Sequence, residues 1–330
     1  MRVGLIGCGF MGQMHANVYR ALDGVELVAV TDRRPEKRDA FAKQWGVQAM
    51  DDFEALLDRD DLDIIDICLP TYLHADTTVR ALDAGKHVLC EKPMAMSVED
   101  ADRMIDARDR SGKRLMIAHC IRFWPEYAKL KEIVDSGALG KLLSLNLTRY
   151  GAFPKWASDG WNADENKAGG GAMDMHIHDT DYALYLLGMP DDMVSFGTYN
   201  ETGVGHIFTT MTFGDTVVHL EGGWNLPSGA PFKMAFRAVF EKGVVIMDGG
   251  PMTVFEEGKD PIVPEFPKMS AEGAGGNLSD LGGYYYEIAD FCEAIRHDRP
   301  LTIAPAESSR ASLEVNLAEI RQVKERLGLI

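Results

Sequence analysis

Three side chains in this sequence combine chemical types that can move a proton and hold charge: Lys92, Asp174 and His178. Lys92 lies in Cys90-Glu91-Lys92-Pro93, at the end of an apolar run, where an ammonium can donate to an oxygen and stabilise negative charge developing on it. Asp174, His178 and Asp181 are spaced four and three apart, so on a helix they share one face while His176 points elsewhere. A carboxylate one turn from an imidazole can orient it or raise its basicity, and histidine titrates near neutral pH, as general acid-base chemistry requires. Two other readings of these residues stay open. One is a charge pair at a helix N-terminus; the other is a metal cluster with His176, Asp179 and Asp181, which needs supporting hydrogen bonds as well as ligands. Catalysis is the favoured reading, and no metal is expected.

Gly7-Cys8-Gly9-Phe10-Met11-Gly12 is a GxGxxG placed directly after an apolar run and opening an amphipathic stretch. In that context the glycines let the backbone approach a pyrophosphate at a helix N-terminus; elsewhere the same spacing is only a glycine turn. Asp32, twenty residues beyond Gly12, ends the second apolar run and is placed to accept hydrogen bonds from an adenosine ribose. Its charge repels a 2′-phosphate. Arg33 and Arg34 follow at once and either bind such a phosphate if Asp32 turns aside or are solvated at the start of the next helix. NAD is therefore favoured over NADP. The expected cofactor contacts are Gly7, Gly9, Phe10, Met11, Gly12, Asp32, Arg33, Pro70, Thr71, His74, Glu91 and Lys92.

These groups need a frame. Residues 2–6, 25–31, 64–69, 87–90 and 115–118 are continuous aliphatic and β-branched runs, the pattern of buried parallel strands. Residues 11–22, 35–44, 73–84 and 97–111 carry apolar positions at helical spacing, with Gly85 and Gly112 as stop signals. Repeated strand-helix-strand units imply an α/β fold with an N-terminal doubly wound Rossmann domain over 1–121. Beyond Arg122 the rhythm changes. A helix (125–136), a strand (141–150), a polar tryptophan-containing loop (151–167) and a helix (171–187) precede short strands across 192–256, separated by turns at Gly214-Asp215 and Lys242-Gly243. This predicts a C-terminal α+β domain, 122–330, with an open, mostly antiparallel sheet for substrate binding and oligomerisation. Helices at 281–297 and 305–327 are expected to finish the chain and to pack back on the N-terminal domain, and 270–276 is expected to be a mobile loop.

With 330 residues, 46% of them hydrophobic, the chain can bury a core in each domain. Its 34 Lys and Arg face 51 Asp and Glu, a balance of −17, so its field repels nucleic acid and anionic membranes, and neither is expected as a partner. A small anionic substrate stays open, because a local cation overrules the global field at short range. Five cysteines in apolar surroundings with no close CxxC read as core packing in a reducing compartment. The first residues hold too short an apolar run for a signal peptide, and no run is long enough to span a bilayer, so a cytoplasmic location is expected.

The GxGxxG strand, the run from Gly85 to Pro93, and Gly169-Gly170-Gly171 with Asp174, His178 and Asp181 together resemble the glucose-fructose oxidoreductase and inositol dehydrogenase (Gfo/Idh/MocA) family. The likeness extends to Gly12 to His15, to Arg122-Phe123 and to Tyr286-Glu287 with Phe291 and Ala294-Ile295, nearly the whole chain. It implies nicotinamide and substrate held between the Rossmann strand ends and the second domain's sheet. The lysine matching Lys92 contacts substrate and nicotinamide ribose, and the Asp and His matching Asp174 and His178 serve in proton transfer. The implied reaction is hydride transfer between nicotinamide and a hydroxyl or carbonyl carbon of a sugar, inositol or related polyol. An NADPH-dependent aldose or ketose reductase and a non-catalytic NAD-binding regulator are the alternatives. Two positions depart from the family. Cys120 stands where an Asn is frequent, with His119 as a polar substitute, and Trp161-Asn162 stands where Trp-Arg is frequent, so substrate identity does not transfer. The expected substrate contacts are Lys92, His119, Arg122, Trp161, Asp174 and His178. A broad apolar sheet face without helical cover needs a partner, so a homodimer or homotetramer is expected.

Overall fold

The structure is a computed structural model that describes residues 1–155, 157–269 and 281–330. The expected mobile loop at 270–276 lies outside the described residues. Two compact units emerge, the first containing the described residues of Met1–Phe123, Trp156–Asp159 and Lys268–Arg310.

In the first unit, β1 (Arg2–Ile6), β2 (Glu26–Thr31), β3 (Gln48–Ala49), β4 (Ile64–Ile67), β5 (His87–Glu91) and β6 (Leu115–Ala118) form a parallel sheet in the order β3-β2-β1-β4-β5-β6. The order reverses between β1 and β4, the place where such sheets leave a ligand crevice beyond the strand ends. Ile6 is level with Thr31 on one side and Ile67 on the other, so Gly7, Asp32 and Cys68 follow from three aligned strand ends. Helices α1 (Phe10–Ala21), α2 (Pro35–Trp45), α3 (Phe53–Leu57), α4 (His74–Asp83) and α5 (Val98–Ser111) connect the strands. Their limits follow local chemistry. The Ser97 hydroxyl accepts from the Asp100 N–H to start α5, and Gly112 ends it at φ 65°, where a side chain would be strained. Val3, Ile64, Leu89 and Met116 pack with Met14 and Val18 of α1 in one cluster, and Leu5 and Val30 pack with Ala16 of α1 and Phe41 of α2 in a second. Full burial of each such large side chain contributes about 1.5–3 kcal/mol. The two-residue β3 and the single turn of α3 were not anticipated, being too short to show a period.

The second unit holds α6 (Pro125–Ser136), β7 (Leu142–Ala152), α7 (Glu165–Ala168), α8 (Ile177–Leu187), β8 (Asp192–Asn200), β9 (Gly203–Phe213), β10 (Thr216–Leu226), β11 (Lys233–Phe240), β12 (Gly243–Asp248) and β13 (Thr253–Glu256). The sheet order is β13-β12-β11-β7-β10-β9-β8, antiparallel throughout except where β10 runs parallel to β7. Ile207, Met211, Val218, Leu220 and Trp224 are buried. The cross-strand register places Phe196, Phe208, Val217 and Phe255 together on the opposite face, where all four are exposed. Two expectations need correction here. The loop at 151–167 contains the end of β7, a 3-10 turn over Ser158–Ala163 and α7, and the helix expected from 171 begins as a π turn, Ala172–His176, before α8.

Of the last two helices, α9 (Gly282–Arg296) belongs to the first unit, where Ile288, Phe291 and Cys292 join the core around Met14. The unit boundary falls inside α10 (Ala306–Arg326), between Arg310 and Ala311. In the second unit, Gln322 of α10 accepts from the Ser195 N–H at 2.9 Å and donates to Met193 O at 3.2 Å, which fixes the helix on β8. No described helix is long and apolar enough to cross a membrane, and the five cysteines are free thiols.

Candidate functional site

The three glycines of GxGxxG do different work. A Cβ on Gly7, which sits at φ 101°, would lie 2.3 Å from Cys68 O, and one on Gly12 would lie 2.1 Å from Gly7 O, so both are demanded by the fold. Gly9 has no such neighbour among the described residues: a Cβ there would meet nothing within 4 Å, and its φ of −87° is open to any residue, so no contact within those residues requires glycine at this position. Gly9 caps α1 without a side-chain hydrogen bond, and no acidic residue stands in the first turn, so the positive end of the helix dipole is not offset there by a carboxylate of its own first turn and favours an anion. The residues present fit a dinucleotide pyrophosphate.

At the end of β2, Asp32 is buried and fully engaged. Its Oδ2 accepts from the Cys8 N–H (3.0 Å) and Arg34 NH2 (2.9 Å), and its Oδ1 accepts from the Arg34 N–H and Nε, both at 2.9 Å. Burial opposes ionisation, but the Arg34 guanidinium and the two backbone N–H groups outweigh it and hold the carboxyl below its usual range. Arg33 pairs with Asp159.

Lys92 follows β5 and is half-buried, its N–H donating to Glu91 Oε2 at 3.1 Å, and the Lys92–Pro93 peptide is cis. His74 lies between Pro93 O and Leu69 O, 2.8 Å from each, and so ties the turn after β4, which carries Pro70 and Thr71, to the turn that carries Lys92. Beneath them is a buried cluster that spacing rules do not reveal. His15 Nδ1 is 2.8 Å from Asp66 Oδ2 and its Nε2 is 3.1 Å from Glu91 Oε1, while Tyr19 donates to Asp66 at 2.9 Å. Burial works against a charged ring, but Asp66 and Cys68 outweigh it and raise the His15 pKa well above the usual imidazole value. His15, Asp66 and Cys68 place ligand atoms within 4.8 Å of one another, yet both ring nitrogens face carboxylates and burial drives the Cys68 thiol far above its usual pKa. His15 and Asp66 read as a buried ion pair, with the Cys68 thiol beside it. Glu287 is fully buried with no hydrogen-bond partner for either carboxyl oxygen among the described residues; burial, then the Glu91 charge, raise its pKa well above the usual carboxyl value.

In the second unit, a Cβ on Gly171 would lie 2.7 Å from Gly205 O and 2.9 Å from the Trp224 ring, so the triple glycine presses the chain onto β9 and β10 before the π turn. Beyond it, buried contacts claim the residues that a metal cluster would have used. His176 Nε2 is 3.0 Å from Glu319 Oε1, Arg149 donates to Asp179 at 3.0 Å, and Ser312 donates to Asp181 at 2.7 Å. Asp181 is fully buried against α10, whereas Asp174, within the π turn, and His178, in α8, are both half-buried.

Among the remaining expected contacts, Phe10 and Met11 open α1 and are partly buried, while Thr71 and His119 are buried. Arg122 is also buried, its NH1 donating to Ile303 O (2.7 Å) and Ser308 Oγ (2.8 Å), which braces the turn after β6 within the first unit. Trp161 is half-buried in the 3-10 turn, and its neighbour Asn162 donates to Pro154 O at 2.7 Å. The sequence assigns no site role to His15, Asp66, Glu287 or Asp159, which come from remote segments; His15 and Glu287 carried a signal, as parts of the family likeness.

Comparison with known proteins follows this geometry. Residues 1–119 match the model of the oxidoreductase family with NAD-binding Rossmann fold, and residues 127–246 match the GFO/IDH/MocA C-terminal domain. D-glucoside 3-dehydrogenase of Escherichia coli is 36% identical over 195 residues, covering 58% of this chain and 55% of that protein. Levoglucosan dehydrogenase of Pseudarthrobacter phenanthrenivorans is 32% identical over 203 residues, covering 57% and 51%. The matched region spans about half the length of these relatives. A solved levoglucosan dehydrogenase in complex with NADH and levoglucosan superposes with a TM-score of 0.85 at 22% identity, over 98% of this chain and 97% of that one, and shares the fold.

Proposed function

Since the chain belongs to the Gfo/Idh/MocA oxidoreductase family and carries its NAD(P)-binding Rossmann fold, we propose that it is a dehydrogenase acting on a hydroxyl carbon of a sugar, inositol or related polyol. The observation that carries this reading is the clear space at Gly9 before α1, which has no side-chain cap, with Lys92 after the end of β5, two strands from β1 in the same sheet. When bound, the nicotinamide ring supplies the hydride acceptor or donor. His178 takes the proton of the reacting hydroxyl during oxidation, and Asp174 orients the imidazole. Lys92 donates to the same oxygen and stabilises the negative charge that develops there. His119, Arg122 and Trp161 complete the substrate contacts. Glucoside, levoglucosan and inositol dehydrogenases among the relatives support a carbohydrate-like substrate.

NAD is the favoured cofactor because the Asp32 carboxylate directly follows β2, where it would accept hydrogen bonds from an adenosine ribose and repel a 2′-phosphate. The adjacent Arg33 and Arg34 keep an NADPH-dependent carbonyl reductase as the second reading. The uncovered sheet face bearing Phe196, Phe208, Val217 and Phe255 is assigned to self-association as a homodimer or homotetramer. Incubating the protein with NAD or NADP and a panel of inositols and sugars, and following the absorbance of reduced nicotinamide, tests the reading. Turnover with one such compound is expected, and tight cofactor binding without turnover across the panel would favour a non-catalytic regulator.

A further inference from the structure

Arg33 and Arg34 stand beside the ribose-binding carboxylate, and two guanidinium groups there would ordinarily invite a 2′-phosphate. Their charges are spent elsewhere. Arg34 places Nε and NH2 on Asp32, and its remaining NH1 lies 4.0 Å from Asp159 Oδ2. Arg33 NH2 pairs with the same Asp159 oxygen. Asp159 is remote in sequence but belongs to the first unit, and it is held in an unusual conformation: its φ is 61°, in the left-handed region, and Gly160 follows at φ 60°. A non-glycine residue pays for that geometry only where its surroundings impose it, and aspartate is among the residues that tolerate it best. Two arginines and two aspartates thus balance to zero at this corner.

We infer that Asp159 is a cofactor-selecting residue, whose carboxylate occupies Arg33 and the free edge of Arg34 and so keeps both from binding a 2′-phosphate. The inference rests on the dinucleotide reading above and assigns to that site a determinant outside the β2 turn. With Asp159 present, a 2′-phosphate meets two carboxylates, and each arginine must give up a partner to receive it. Removing the Asp159 charge frees Arg33 first, because its side chain is the more exposed of the two, 66% against 20% for Arg34.

The test is a pair of fluorescence titrations, NADH and NADPH, on the parent protein, on Asp159→Asn, and on Asp159→Asn combined with Arg33→Ala. Asparagine keeps the shape and tolerates the left-handed backbone while deleting the charge. The NADPH:NADH affinity ratio is expected to rise roughly three- to tenfold in Asp159→Asn, more at low than at high salt, as one unit charge at close range in a solvated site implies. Adding Arg33→Ala should return the ratio toward the parent value. A ratio unchanged by Asp159→Asn, or a gain that survives loss of Arg33, overturns the assignment. Failure of the parent to bind either dinucleotide would instead overturn the cofactor reading on which it rests.

Discussion

Replacing Gly9 by alanine separates a glycine kept for the fold from one kept for a ligand. In the folded protein the new methyl meets nothing within 4 Å, and the backbone at φ −87° and ψ −159° suits alanine. The folded state is therefore unstrained, and restricting the unfolded chain should stabilise the protein by about 0.4–1 kcal/mol. The same methyl stands where a pyrophosphate must approach the first N–H groups of α1. Losing one or two hydrogen bonds to a charged group costs about 1.5–3 kcal/mol each, which at about 1.4 kcal/mol per decade weakens NADH binding tenfold to more than a hundredfold. Gly12→Ala is the contrast, because its methyl would lie 2.1 Å from Gly7 O and force the backbone to move. Urea melts and NADH titrations of both variants read the two effects separately. Undiminished NADH affinity in Gly9→Ala, or a loss of stability matching that of Gly12→Ala, would refute the reasoning.

Other consequences follow from the buried and exposed groups. Glu287 has a folded-state pKa above its unfolded value, so its contribution is fully present below the usual carboxyl range and is lost as pH rises toward the elevated pKa. Stability should fall by about 1.4 kcal/mol per pH unit over that interval from this group, and urea melts of Glu287→Gln should lack that slope. His178→Ala is expected to lower kcat by about a hundred- to ten-thousandfold with an unchanged melting temperature, as loss of a general base would; kcat within threefold of the parent would remove it from proton transfer. Phe196→Asp with Phe208→Asp should convert the oligomer to monomers in light scattering, and a parent that is itself monomeric at micromolar concentration would contradict the assigned role of that sheet face.

Much of the frame was legible because its signals are local. Continuous aliphatic runs marked five of the six parallel strands, and the order of glycine, helix and acid marked the crevice. Boundaries slipped by a residue or two, as at Ser97, where the hydroxyl caps α5, and at the end of β4, which stops at Ile67. The helix carrying Asp174 was harder, since helical spacing presumes a uniform turn. Gly170 and Gly171 press against the start of β9 and against β10, a π turn follows over Ala172–His176, and Asp181 is claimed by Ser312 while Asp174 and His178 stay half-buried. The His15 cluster and the Arg33–Asp159 pair depend on contacts between segments far apart in sequence, and periodicity carries no information about those.

The proposed function assigns Lys92, Asp174 and His178 to one hydride-transfer reaction. Its most direct test is steady-state turnover of Lys92→Ala beside the parent, with NAD and the best substrate from the inositol and sugar panel, after confirming that both proteins bind NADH. A fall in kcat of at least a hundredfold is the expected result; turnover by Lys92→Ala as fast as the parent would contradict the claim.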